Sequence, residues 1–219
     1  MTRFFVVTSY RSTIREFLVR LGPTGVEHSV VRHPSVTIPP GEALLDVLRW
    51  RAEHQPDQTA YVFLRDGVSP DTVLTYRALD AKARSIASHL QSRFAAGDRL
   101  LLVYPPGLEF VEAFWGALYA GLVAVPVPPP DSFRARVGVA RVQRIAEDAG
   151  VAGVLSTNQI LALVRAQGPL IPLEQWLVCD AATPNSTAQW TSTHPVDSTL
   201  AYLQYTSGST SAPKGVMVS

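Results

Sequence analysis

Thr206, Ser207, Gly208, Ser209 and Thr210 follow one another directly, and Ser211, Ala212, Pro213, Lys214 and Gly215 continue the run, so hydroxyls, small residues and one cation are packed together. Such a run suits an anion. Gly208 lets the backbone approach closely, successive N–H groups and hydroxyls donate to phosphate oxygens, and Lys214 brings a mobile positive charge. Lys214 gains weight because the chain has only one other lysine, Lys82, against 17 arginines. The spacing is not that of a Walker loop: Pro213 rather than glycine precedes the lysine, and no earlier glycine falls at the required distance. Composition alone also fits a solvated turn, so the flanking elements and the order of residues have to decide.

The run follows a predicted strand, Leu200 to Tyr205, and precedes Val216-Met217-Val218, which is itself strand-like. Upstream, Leu44, Leu45, Leu48 and Ala52 share one helical face, Pro56-Asp57 turns the chain, and Ala60 to Leu64 reads as a strand. Leu79, Ala83, Ile86, Ala87 and Leu90 recur at helical spacing behind Thr75, a suitable cap. Leu100 to Tyr104 is a continuous apolar run of the kind buried on both faces of a parallel sheet. A helix with Phe110, Phe114, Ala117 and Leu118 on its face follows, with Trp115 pointing elsewhere, then a strand over Leu122 to Val127. The cycle repeats with a helix through Val142, Ile145, Ala146 and Ala149, a strand Val151 to Leu155, a short helix Gln159 to Arg165 and a strand Trp176 to Val178. The expectation is an α/β fold, a mostly parallel, doubly wound sheet with helices on both faces. Residues 181–197 read as a surface loop, and residues 1–40, broken by Gly22-Pro23, Gly25, Pro34, Pro39 and Pro40, as an irregular extension.

Composition limits the function classes. Of 219 residues 47% are hydrophobic and 17% charged, and 19 basic against 18 acidic side chains leave a net charge of +1, which argues against a nucleic-acid binder. No apolar run approaches the ~20 residues of a transmembrane segment, and Phe4 to Val7 is too short for a secretory signal. The lone Cys179 excludes an internal disulfide framework, and a cytoplasmic location is expected. His28, His33, His54, His89 and His194 lack metal-binding spacing. Arg134, Arg136, Arg141 and Arg144 read first as a solvated helix face and second as a surface for an acidic partner protein. Phe110, Phe114, Trp115 and Tyr119 read as core rather than an apolar ligand-binding stripe. Tyr104 and Pro105, at the carboxyl end of a strand, are candidate neighbours of a ligand pocket.

The order of residues separates the anion loop from a solvated turn. Leu203-Gln204-Tyr205-Thr206-Ser207-Gly208-Ser209-Thr210-Ser211-Ala212-Pro213-Lys214-Gly215-Val216 closely resembles the first signature of the adenylate-forming superfamily of acyl-CoA synthetases, fatty acyl-AMP ligases, luciferases and peptide-synthetase adenylation domains. Leu44 to Pro56, Leu74-Thr75-Tyr76, Tyr104 to Phe110, Tyr119-Ala120-Gly121 and Ala124 to Pro130 resemble the same family's N-terminal region in order, so the likeness covers roughly residues 42–219. Pro126 to Pro130 and Gly215 to Ser219 look most like fatty acyl-AMP ligases, while Ser211 stands where many relatives carry glycine.

That resemblance implies activation of a fatty acid by ATP, with Mg2+, to an acyl-adenylate that passes to an acyl carrier protein or polyketide synthase. It also implies that Thr206, Ser207, Gly208, Ser209 and Thr210 line the ATP phosphates and that Lys214 clamps their charge, while no catalytic residue is assigned. The chain reads as residues 41–219 of a partial N-terminal adenylation domain behind the 1–40 extension, a truncated piece expected to be inactive alone. A fatty acyl-CoA ligase, a peptide-synthetase adenylation domain and a non-catalytic scaffold remain alternatives.

Overall fold

A computed structural model describes the backbone of residues 15–22 and 25–32 and, further on, residues 43–65, 70–130, 135–167, 172, 175–179, 190–196, 198–206 and 214–219. The chain forms two compact units, Met1–Pro40 and Gly41–Ser219. In the first, β1 (Arg15–Gly22) pairs antiparallel with β2 (Gly25–Arg32), from Arg15 opposite Arg32 to Gly22 opposite Gly25. The expected irregular extension therefore contains a hairpin. The prolines that suggested irregularity all fall outside the two strands, whose Phe17, Val19, Val26, Val30 and Val31 favour extended backbone.

The second unit begins with α1 (Leu44–His54), then β3 (Thr59–Leu64) and β4 (Pro70–Thr75), which pair antiparallel as a small separate sheet. Leu45 and Leu48 of α1 are buried as expected, but Leu44 is 59% exposed. It is the first residue of the helix and lies beyond the edge of the buried stripe. Thr75 caps α2 (Tyr76–Gln91) by accepting a hydrogen bond from the Ala78 N–H at 3.2 Å.

Six strands form the main sheet in the order β10–β9–β6–β5–β7–β8. β5 (Arg99–Val103) lies parallel to β6 (Val123–Val127) on one side and β7 (Gly153–Ser156) on the other, and β8 (Trp176–Val178) extends the parallel set. α3 (Leu108–Tyr119), α4 (Ala135–Ala149) and α5 (Asn158–Gln167) connect them. Gly121 and Gly150, with φ of +77° and +60°, end α3 and α4 in a left-handed conformation that favours glycine. β9 (Tyr202–Thr206) is parallel to β6, and β10 (Lys214–Val218) closes the order antiparallel to β9. The sheet is thus mostly parallel with one antiparallel edge.

Alternation along β5 divides the interior in two. Leu100 and Leu102 pack with residues of α1, α2 and α3, including Leu48, Leu79, Leu90 and Tyr119, while Leu101 and Val103 pack with Val142, Ile145 and Ala149 of α4 and Leu161 and Val164 of α5. Helices therefore cover both faces, as a parallel sheet requires. α2 and α3 approach closely at Gly116, where an added Cβ would lie 2.4 Å from Cγ2 of Ile86. The α3 face differs from the expected one: Trp115 is buried and its indole N–H donates to the Tyr61 hydroxyl, whereas Phe110 and Phe114 are only half-buried. The β3–β4 sheet, not anticipated as a layer, supplies the partner that draws Trp115 inward.

Candidate functional site

Thr206 ends β9 and Lys214 begins β10, and the two are directly opposed across the antiparallel ladder. Both side chains are exposed. The hairpin thus presents a hydroxyl and an ammonium together at its loop end, where the sequence from Ser207 to Pro213 connects them. Ser207, Gly208, Ser209 and Thr210 lie outside the described residues. Lys214 reaches solvent, as an anion clamp needs, but Lys214 and Gly215 are strand rather than loop, because the β-forming Val216-Met217-Val218 extends its pairing back to Thr206.

Several contacts fix this hairpin. Leu203 of β9 is buried in the α4–α5 core, and Tyr202 rests edge-on against the Phe114 ring, 5.7 Å between centroids. The Ala201 N–H donates to the Val218 carbonyl and the Ala124 N–H to the Ala201 carbonyl, tying β10 through β9 to β6. The Tyr205 hydroxyl donates to the Asp148 carboxylate on α4. Burial first, and then that carboxylate, push the Tyr205 phenol up to about 12, while Arg99 opposes the shift. Tyr205 is also the cross-strand partner of Gly215.

The approach to β9 is fastened as well. Within the stretch read as a surface loop, residues 190–196 form a strap across α1, α2 and α3. The Trp190 indole N–H donates to the Tyr119 carbonyl at 3.0 Å, and the Thr193 hydroxyl donates to the same oxygen. Gln91 and Thr191 exchange two hydrogen bonds, and the Arg49 guanidinium donates to the Thr193 carbonyl. Arg49 and Arg84 both stand over the Trp190 ring, at 5.1 and 4.5 Å. Asp80 joins the group, accepting from Arg84 at 2.7 Å and from the Tyr119 hydroxyl at 2.9 Å. Burial, and then the Asp80 charge, raise the Tyr119 phenol far above its ordinary value. An aromatic residue inside a Thr/Ser/Pro-rich stretch was the sequence signal for this strap.

The other candidates lie on neighbouring elements. Tyr104 is buried in the core and its hydroxyl donates to the Cys179 carbonyl, while Pro105 beside it is half-buried. Tyr119 is a core residue, as read, and Trp115 is buried although read as pointing elsewhere, whereas Phe110 and Phe114 lie half-buried against the core and continue to Tyr202. Arg141 and Arg144 are exposed on α4; the side chains of Arg134 and Arg136, like those of His28 and His33, lie outside the described residues. His54 stacks on Trp50. Among the described residues no three His, Cys, Asp or Glu side chains come together as a metal site, and no helix is long and apolar enough to cross a membrane.

Comparison with known proteins gives this geometry a family. The model of the AMP-binding enzymes matches residues 48–219. The medium-chain-fatty-acid–[acyl-carrier-protein] ligase JamA of Moorena producens is 40% identical over 184 residues, covering 82% of this chain and 31% of that protein. The long-chain-fatty-acid–AMP ligase FadD32 of Mycolicibacterium smegmatis is 34% identical over 198 residues, covering 86% and 30%. The crystal structure of the fatty acid AMP ligase from Legionella pneumophila superposes with a TM-score of 0.69 at 37% identity, over 80% of this chain and 30% of that one. The chain thus spans about three tenths of the length of these relatives. With a family model matched from α1 through the Thr206–Lys214 hairpin to the last residue, the chain belongs to the AMP-binding enzymes.

Proposed function

We propose that residues 41–219 are a partial N-terminal adenylation domain of a fatty acyl-AMP ligase, which joins a fatty acid to ATP and hands the acyl group to an acyl carrier protein or a polyketide synthase, in the cytoplasm. The observation that carries this reading is Thr206 opposite Lys214, both exposed, at the mouth of a Ser/Thr/Gly run. Likeness to JamA and to the acyl-AMP ligases supports it. Residues 1–40 are a separate extension to this domain, in line with the compact unit that begins at Gly41.

In the reaction, a fatty-acid carboxylate oxygen attacks the α-phosphorus of ATP while the bond to pyrophosphate breaks. An anion approaches a polyanion, so the barrier is electrostatic, and donors fixed before the reaction lower it. Thr206, Ser207, Gly208, Ser209 and Thr210 supply hydroxyl and N–H donors to the β- and γ-phosphates, and Lys214 offsets the charge that grows on the leaving pyrophosphate. Magnesium would share that charge. The described residues include no acidic cluster that fits the ion, so none is assigned as its ligand.

The test is a chimera in which residues 41–219 replace the equivalent stretch of the Legionella pneumophila ligase, measured by fatty-acid-dependent pyrophosphate release. Release is expected from the chimera, with Lys214→Ala lowering it about a hundredfold or more, and none is expected from the 219-residue polypeptide alone. A folded chimera without release, or one indifferent to Lys214→Ala, overturns the proposal.

A further inference from the structure

β10 carries Lys214 yet has little side-chain anchorage of its own. Lys214, Gly215, Val216 and Met217 are all exposed, and only Val218 is half-buried. At the Lys214 end, the side chain that holds the strand comes from its neighbour. An added Cβ on Gly215 would lie 3.0 Å from Cζ of Tyr205 and 3.2 Å from its Cε2 and hydroxyl oxygen, so the phenol ring occupies the side of Gly215 where any other residue would project. The hydroxyl at the ring's far end is bound by Asp148, and the last turn of α4 is itself pinned, since Arg99 of β5 donates to the Ala149 carbonyl at 3.0 Å. Contacts therefore run from β5 through α4 and Tyr205 to Gly215, the residue next to Lys214.

We infer that Tyr205 is a positioning residue for Lys214: its ring, laid over Gly215 and tethered to Asp148, holds the start of β10 so that the ammonium is presented beside Thr206. The inference rests on the phosphate-binding reading of the loop and adds to it a role for Tyr205, Asp148 and Gly215. It also explains the glycine after the lysine by the space that the ring needs.

The experiment measures inorganic pyrophosphate binding to the 219-residue chain by calorimetry, with circular dichroism to verify folding. Tyr205→Ala is expected to weaken binding about fivefold in the parent chain and by less than about 1.5-fold in a Lys214→Ala background, because a residue that acts through Lys214 has nothing to act through once it is gone. Tyr205→Phe, which keeps the ring over Gly215 but loses the tether to Asp148, is expected to recover part of the affinity and no more. Should Tyr205→Ala not fold, Gly215→Ala reads the same coupling by displacing the ring, and it too must lose its effect with Lys214→Ala. Equal losses in both backgrounds, or no loss in the parent, overturn the positioning role while leaving the phosphate loop standing. A parent chain that binds no pyrophosphate overturns the loop reading and this role together.

Discussion

At the scale of single residues, side chains held against their own preference are the most informative. Glu112 of α3 is half-buried; burial raises its carboxyl above the ordinary value near 4.5, Glu109 adds to the shift and Lys82 opposes it. A carboxyl raised on folding contributes stability that is complete below 4.5 and lost as pH rises through the folded value. Glu112→Gln should therefore stabilise the protein at pH 7 by roughly 0.5 kcal/mol, allowing for solvent screening, and the gain should vanish near pH 4 in urea titrations. Gly116→Ala tests a steric constraint. Its Cβ would meet both Cγ2 and Cβ of Ile86, atoms too near the backbone to swing aside, so α2 and α3 must part. A loss of about 1–3 kcal/mol is expected, read from the denaturation midpoint. Thr206 and Lys214 stood out in the sequence because residue type and order carry their chemistry, and the fold sets the two opposite each other. Tyr205 and Asp148 did not, since their pairing joins residues 57 positions apart through the fold.

Among elements, the amphipathic helices and the apolar strands were readable wherever one period dominated. β5, β6, β7 and β8 fall within a few residues of the expected spans, and Thr75 caps α2 as read. Three readings failed for physical reasons. The first-unit hairpin was hidden by prolines that lie outside its strands, β4 by its short mixed sequence, and the α3 face by a second sheet that recruits Trp115. The strap was also missed, because polar composition suggests solvent even when one aromatic anchors the segment. Trp190→Ala should cost about 3 kcal/mol and speed amide exchange at Thr191, whereas Trp190→Phe, which loses mainly the bond to Tyr119, should cost about 1 kcal/mol. Equal losses from both substitutions would show that the ring contributes nothing beyond its N–H.

For the molecule as a whole, the doubly wound architecture was legible because continuous apolar strands alternate with one-faced helices, a pattern with few other packings. The antiparallel β10 was foreseen only as strand-like, since pairing direction depends on the connection through the Ser/Thr run. Among the described residues β10 is paired on one side only, with Val216 52% and Met217 75% exposed. Open apolar edges recruit other chains. Met217→Lys should therefore raise the monomeric fraction in light scattering while changing stability by less than about 0.5 kcal/mol. The division of the interior by the sheet has an optical consequence. Trp115 on α3 and Trp190 in the strap pack in one layer together with α1, whose Trp50 stacks on His54, and Trp176 of β8 packs into the other with α4 and α5. Replacing the first three with phenylalanine leaves one fluorophore on the far side of the sheet. Its emission then follows the α4–α5 layer alone, and comparison with the parent spectrum resolves whether the two halves of the protein melt together or in turn.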